Sequence, residues 1–90
     1  MPVVQTQFTV GTTPLVVSPT TAATQFSMTI QNTHATNILY VGDANVTSSV
    51  FGIKMNPGDV ISFDSIPFNS PIYAVSNAAG TVVATMNIIR

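Results

Sequence analysis

Residues 38–64 decide the fold: Ile-Leu-Tyr-Val, then Gly-Asp-Ala-Asn-Val-Thr-Ser-Ser, then Val-Phe-Gly-Ile-Lys-Met, Asn-Pro-Gly-Asp and Val-Ile-Ser-Phe-Asp. They read as three short strands joined by two kinds of turn. Gly42-Asp43-Ala44-Asn45 holds residues that tolerate positive φ or bond their own backbone. Asn56-Pro57-Gly58-Asp59 puts Pro at the second place and Gly at the third, as a type II turn requires. These residues define a β-domain and bring no chemistry of their own.

The rest of the chain has the same grammar. Gln25 to Gln31 alternates cleanly, with Phe26, Met28 and Ile30 on one side and Gln25, Ser27, Thr29 and Gln31 on the other, the period of a half-buried strand. Residues 5–10 alternate likewise, with Phe8 and Val10 on one face, and 15–17 form a shorter strand after Gly11-Thr12-Thr13-Pro14. Ile38 to Val41 is continuously apolar, which fits burial on both faces, in the centre of a sandwich or against a second subunit. Strands are expected at 50–55 and 59–63 around the Pro-Gly turn. Further strands are expected at 72–76 and 81–89, with Asn77-Ala78-Ala79-Gly80 as a hairpin turn. Residues 18–24 and 65–71 read as long loops, the second kept off any central strand by Pro67 and Pro71. No segment has helical periodicity. The fold class is all-β: a small antiparallel β-sandwich or barrel of about eight short strands. Residues 1–90 are expected to form one domain, with 1–4 as an extended arm.

Composition narrows the function. Only 6% of residues are charged, against roughly 25% in an ordinary soluble domain. Two bases, Lys54 and Arg90, are too few for a nucleic-acid surface. No apolar run reaches the length of a spanning helix, so no membrane partner is expected. The start Met-Pro-Val-Val-Gln lacks a basic region followed by an apolar one, from which synthesis ending in a cytoplasm is expected. With no cysteine there are no disulfides, and with one histidine there is no zinc cluster. Small domains lean on disulfides, metals or association, and association is what remains. Near-zero net charge offers little repulsion against it.

Sites for chemistry are sparse. Asp43 and Asn45 open like a calcium loop, but the Gly and Glu that complete it are missing. Asp59 and Asp64 fit a turn and a strand end, so no metal and no cofactor is expected. His34 lies in an Asn/Thr turn with nothing in the sequence to make it part of a triad, and the chain is expected not to be an enzyme. Tyr40 and Tyr73 offer either a stacking platform for sugar or base, or a core position with the hydroxyl at the rim; their apolar neighbours favour the core. Asn45-Val46-Thr47 matches a glycosylation acceptor, which matters only on a secretory route. Gly52 inside an apolar strand points to a bulge or the close approach of another backbone. Pro67 and Phe68 read as the tip of a loop, as an apolar contact or as a lid on the core.

Together, Leu39-Tyr40-Val41-Gly42, Asn45-Val46-Thr47, Gly52, Met55-Asn56-Pro57-Gly58-Asp59 and Ile72-Tyr73-Ala74-Val75-Ser76, with a Val-rich closing strand, resemble small β-sandwich virion proteins of tailed bacteriophages. The resemblance covers roughly residues 38–89. Met55 and Asp59 depart mildly from the Leu or Pro and the Glu usual in that pattern. It implies a capsid decoration (cement) protein, a homotrimer more than a dimer, bound to the major capsid protein on the outside of the virion and made in the host cytoplasm. The partner-binding residues expected on that reading are Pro2, Val3, Val4, Pro19, Pro67 and Phe68. A head- or tail-fibre domain is the alternative within the class, and a carbohydrate-binding module the alternative outside it.

Overall fold

A computed structural model describes residues 3–18, 24–67 and 69–89. Eight strands follow one another: β1 (Val3–Val10), β2 (Leu15–Val16), β3 (Gln25–Asn32), β4 (Leu39–Gly42), β5 (Ile53–Met55), β6 (Val60–Pro67), β7 (Tyr73–Ser76) and β8 (Thr81–Ile89). They form two four-stranded sheets, β1-β8-β3-β6 and β2-β7-β4-β5. Every pairing is antiparallel. The all-β sandwich read from the sequence is therefore present, as a sandwich and not a barrel.

The order has a simple origin. β1 pairs with β8, β2 with β7, β3 with β6 and β4 with β5, so the two halves of the chain mirror each other about loop 43–52. One long antiparallel ribbon, with that loop at its tip, is rolled so that β8 meets β3 and β7 meets β4. This is the wrapping of a jelly roll. It accounts for the organising place of residues 38–64, which form the tip.

Rolling also changes the meaning of the turns. Asn77–Gly80 does not close a hairpin: β7 and β8 lie in different sheets. Gly80, at φ +81°, turns the chain across the sandwich, and the side chains of Ser76 and Thr81 hydrogen-bond to each other there. Asn56-Pro57-Gly58-Asp59 likewise carries the chain from one sheet to the other. Gly58 has the positive φ (+86°) that a type II turn needs, and Asp59 N–H donates to the Asn56 carbonyl at 3.0 Å. Gly42 has no positive φ; its constraint is space, since a Cβ there would lie 3.1 Å from Val46 Cγ2.

Two further differences concern strand limits. β1 begins at Val3, so Val3 and Val4 belong to a strand and not to an arm. The expected 65–71 loop is strand as far as Pro67, which pairs with Gln25. Proline is tolerated there because β6 is an edge strand. Between Phe26 and Met28 the register shifts: those two positions of β3 face Ile66 and Phe63, so β6 carries one extra residue. Ser65 takes up this bulge at φ 52°, a left-handed conformation usual for Gly.

Phe26, Met28 and Ile30 of β3 pack against Leu39 and Val41 of β4, Met55, Ala74, Val83, Val10 and Val17. Fully burying each large apolar side chain contributes about 1.5–3 kcal/mol. At one end of this core Asn32, fully buried, donates through Nδ2 to the carbonyls of Asn37 (3.0 Å) and Met55 (3.1 Å). Its Oδ1 accepts from His34 N–H at 3.1 Å. One side chain thus ties β3 to the next turn and to the opposite sheet.

A second, smaller core lies outside the β2-β7-β4-β5 sheet. Tyr40, Val46 and Val75 are buried together, flanked by Ile38 and Tyr73. Loop 43–52 covers them, held by Val46 N–H to Asp43 O (3.0 Å), Thr47 N–H to Val50 O (2.7 Å) and Val50 N–H to Thr47 Oγ1 (2.9 Å). The two-sided burial expected for residues 38–41 is real, and the chain's own loop provides it.

Candidate assembly surfaces

Each sheet ends in an edge strand on both flanks. β1 and β2 form one flank, and β5 and β6 the other. Edge strands present unpaired backbone donors and acceptors, which a neighbouring strand can complete. On the β5/β6 flank the sheets splay around an apolar cleft of about 340 Å³. Val41, Ile53, Phe63, Ile66, Pro71 and Ile72 line it, with Asp43 at its mouth. On the β1 flank Val3 is 63% exposed and Val4 38%.

Val4 pairs with Asn87 and Thr6 with Thr85, so both point to the inner side of their sheet, yet both are exposed. Nothing among the described residues of the facing sheet covers them, because β2 is only two residues long. Beside them Asn87 is 3% exposed, and its Oδ1 has no hydrogen-bond partner among the described residues. This flank is open.

The residues expected to bind a partner fall in three groups. Val3 and Val4 sit on the open β1 flank, and Pro67 sits exposed at the end of β6 on the opposite flank. Pro2, Pro19 and Phe68 lie outside the described residues. The two long connections are joined at their base, where Ile72 N–H donates to buried Ser18 Oγ at 3.0 Å.

The three carboxylates and His34 each serve local structure. Asp43 Oδ1 accepts from Asn45 N–H (2.9 Å), and Asp59 Oδ2 from Asn56 N–H (2.8 Å). Asp64 Oδ1 accepts from Ser27 Oγ at 2.8 Å. His34 Nδ1 accepts from the N–H groups of Asn37 (3.0 Å) and Thr36 (3.2 Å), shaping its own turn. Among the described residues no three of His, Asp and Glu gather where a cation could sit. Tyr40 is 9% exposed, with Phe51 tilted on it at 4.9 Å between centroids, so its ring face is occupied from within.

The strand expected at 50–55 begins only at Ile53, and Phe51 lies on Tyr40, away from the core side that Ile53 and Met55 share. Gly52 makes the change possible: its N–H donates to Val41 O at 2.9 Å, and a Cβ would lie 3.3 Å from that oxygen. The close backbone approach expected at Gly52 is thus a contact within the chain.

No helix among the described residues is long and apolar enough to cross a membrane. No family model matches the sequence, and no curated protein matches it. Among solved structures, the chain is similar to one described as "Bacillus endospore appendages form a novel family of disulfide-linked pili". The identity is 14% and the TM-score 0.57, over 98% of this chain and 85% of the other. At that identity the likeness is one of fold.

Proposed function

We propose that this chain is a non-catalytic structural subunit that joins copies of itself, or a host particle, through the edges of its sheets. The observation that carries this reading is the pair of unlike open flanks. One has protruding valines on β1, and the other has an apolar cleft between β5 and β6. A contact between unlike surfaces is head-to-tail, and repetition makes rings or filaments. The likeness to a pilus subunit supports the reading, with one difference in chemistry. This chain has no cysteine, so its assembly rests on backbone pairing and apolar contact alone.

The finer reading is a capsid decoration protein, an oligomer seated on the major capsid protein of a tailed-phage head. The motifs running from Leu39 through Asp59 to Ser76 support it. A protein that binds the assembled lattice and not its dissociated subunits stabilises the shell by mass action.

Sedimentation velocity and negative-stain electron microscopy of the purified chain test the edge reading. Wild type is expected to form multimers at tens of micromolar, and Ile53→Lys, which puts a charge in the cleft mouth, is expected to abolish edge-linked rings or filaments. An Ile53→Lys chain that still builds them overturns edge pairing. Co-sedimentation with phage head shells tests the finer reading, which fails if the chain stays in the supernatant.

A further inference from the structure

We infer that the outer face of the β1-β8-β3-β6 sheet is a second self-association surface, on which two copies pack face to face about a two-fold axis. This contact is separate from edge pairing and does not rest on it.

In Thr81–Ile89 the buried row is Thr81, Val83, Thr85, Asn87 and Ile89, three of its five members polar. The outward row, Val82, Ala84, Met86 and Ile88, is apolar throughout. Hydropathy alone would choose the outward row as the core. Val82 is 39% exposed and Met86 51%, and Val3, paired with Ile88, prolongs the stripe at one end. An antiparallel sheet with one face in water alternates apolar inward and polar outward; on β8 the outward row is the more apolar of the two. The other sheet has its outer face covered by loop 43–52; nothing among the described residues covers this one.

Shape and charge point to a second copy as the cover. Next to the β8 ridge lies a groove of about 220 Å³ over the small side chains of Ser27 and Thr29, walled by Met86 and Ile88 on one side and by Ser62 and Asp64 on the other. Thr29 is the registered partner of Met86, so ridge and groove are adjacent. A two-fold axis between them lays each copy's ridge in the other's groove, the self-complementarity an isologous contact needs. Among the described residues, Asp64 is the one ionisable side chain on this face, and it already accepts from Ser27 Oγ at 2.8 Å. Like-charge opposition is thus limited to one carboxylate per copy. Four strands spaced by about 4.8 Å, the longest about 30 Å, span roughly 550 Å² per copy, or about 1,100 Å² for the pair. A specific interface needs about 1,000 Å².

The absence of cysteine gives a clean test. In the full chain, Thr29→Cys places one thiol beside the inferred axis, and Val50→Cys places one on the exposed loop over the other sheet. At 50 μM under mild oxidation, Thr29→Cys is expected to give mostly covalent dimer, at least tenfold more than Val50→Cys. Adding Met86→Lys, or Val82→Lys as a second variant, is expected to remove that excess. Both positions are solvent-accessible, and unchanged thermal unfolding verifies the fold. Cross-linking at position 29 no greater than at position 50, or undiminished by both lysines, overturns the inference. Running the same series with Ile53→Lys separates it from edge pairing: the covalent dimer persists if the faces meet, whatever becomes of larger assemblies.

Discussion

Ser27 Oγ on β3 donates to Asp64 Oδ1 on β6 at 2.8 Å, at the point where β6 carries its extra residue. Ser65, at the bulge, also directs its N–H to Ser27 Oγ at 3.4 Å. The hydroxyl therefore sits between a donor and an acceptor of the bulged strand. It holds the irregularity in register with the straight strand beside it.

Two substitutions separate the bulge's strain from its support. A non-glycine residue in the left-handed region costs about 1–2 kcal/mol, and glycine's extra freedom in the unfolded chain offsets roughly half of any relief. Ser65→Gly is expected to stabilise by about 0.5 kcal/mol. Ser27→Ala is expected to cost about 1 kcal/mol, the worth of a hydrogen bond to a charged, solvent-accessible group. Chemical denaturation of both variants checks the signs. A destabilised Ser65→Gly would show that the turn tolerates serine without strain.

Asn32 is the polar residue on which the core end depends most. Its side chain makes three hydrogen bonds, and its backbone two more: its N–H donates to Asp59 O at 3.0 Å, and its carbonyl accepts from Gly58 N–H at 2.8 Å. Asn32→Leu leaves two carbonyls and one N–H without the side-chain partner and is expected to cost about 3 kcal/mol. Asn32→Asp is expected to cost at least as much, because a carboxylate would face two carbonyl oxygens. Urea titration measures both, and a loss below about 1 kcal/mol would mean that water enters and replaces the amide.

Phe51 is half exposed yet is expected to matter. It lies on Tyr40 at 4.9 Å and 44°, and aromatic pairs add about 0.5–1.5 kcal/mol beyond burial. Phe51→Ala is expected to cost about 1–2 kcal/mol and to reduce the near-ultraviolet circular dichroism of tyrosine. Edge-linked assembly is expected to survive it, since Phe51 is not part of the cleft between β5 and β6.

Local pattern made much of this legible and left the long-range part hidden. β3 could be read residue by residue, because Phe26, Met28 and Ile30 alternate with polar neighbours and the buried face follows from period two. The span of β8 was legible too, but its orientation was not, since both of its rows carry apolar residues. The Asn77–Gly80 turn reads as a hairpin because a glycine with positive φ reverses a chain equally well within a sheet or between sheets. Nothing local says which. Ser65 gave no sign of a bulge because it stands where glycine is usual. The open flanks are products of rolling: which strand becomes an edge depends on the pairing of residues some eighty positions apart, such as Val3 with Ile88.

Association of this chain is expected to be nearly indifferent to simple salt. Two basic and three acidic residues serve the whole sequence, and the three carboxylates already accept hydrogen bonds from their own turns and strands. Contacts made through strand edges, the cleft or the β8 stripe are backbone pairing and apolar burial. Raising sodium chloride from 0.05 to 1 M shortens the screening length from more than 10 Å to about 3 Å. That change acts strongly only where charges meet. Sedimentation equilibrium across the range is expected to show the association constant moving by less than about threefold. Ammonium sulfate, which strengthens apolar burial, is expected to raise it. A tenfold weakening in sodium chloride would place ionic pairs at the interface and would require Lys54 or Arg90 to meet a carboxylate of a neighbouring copy.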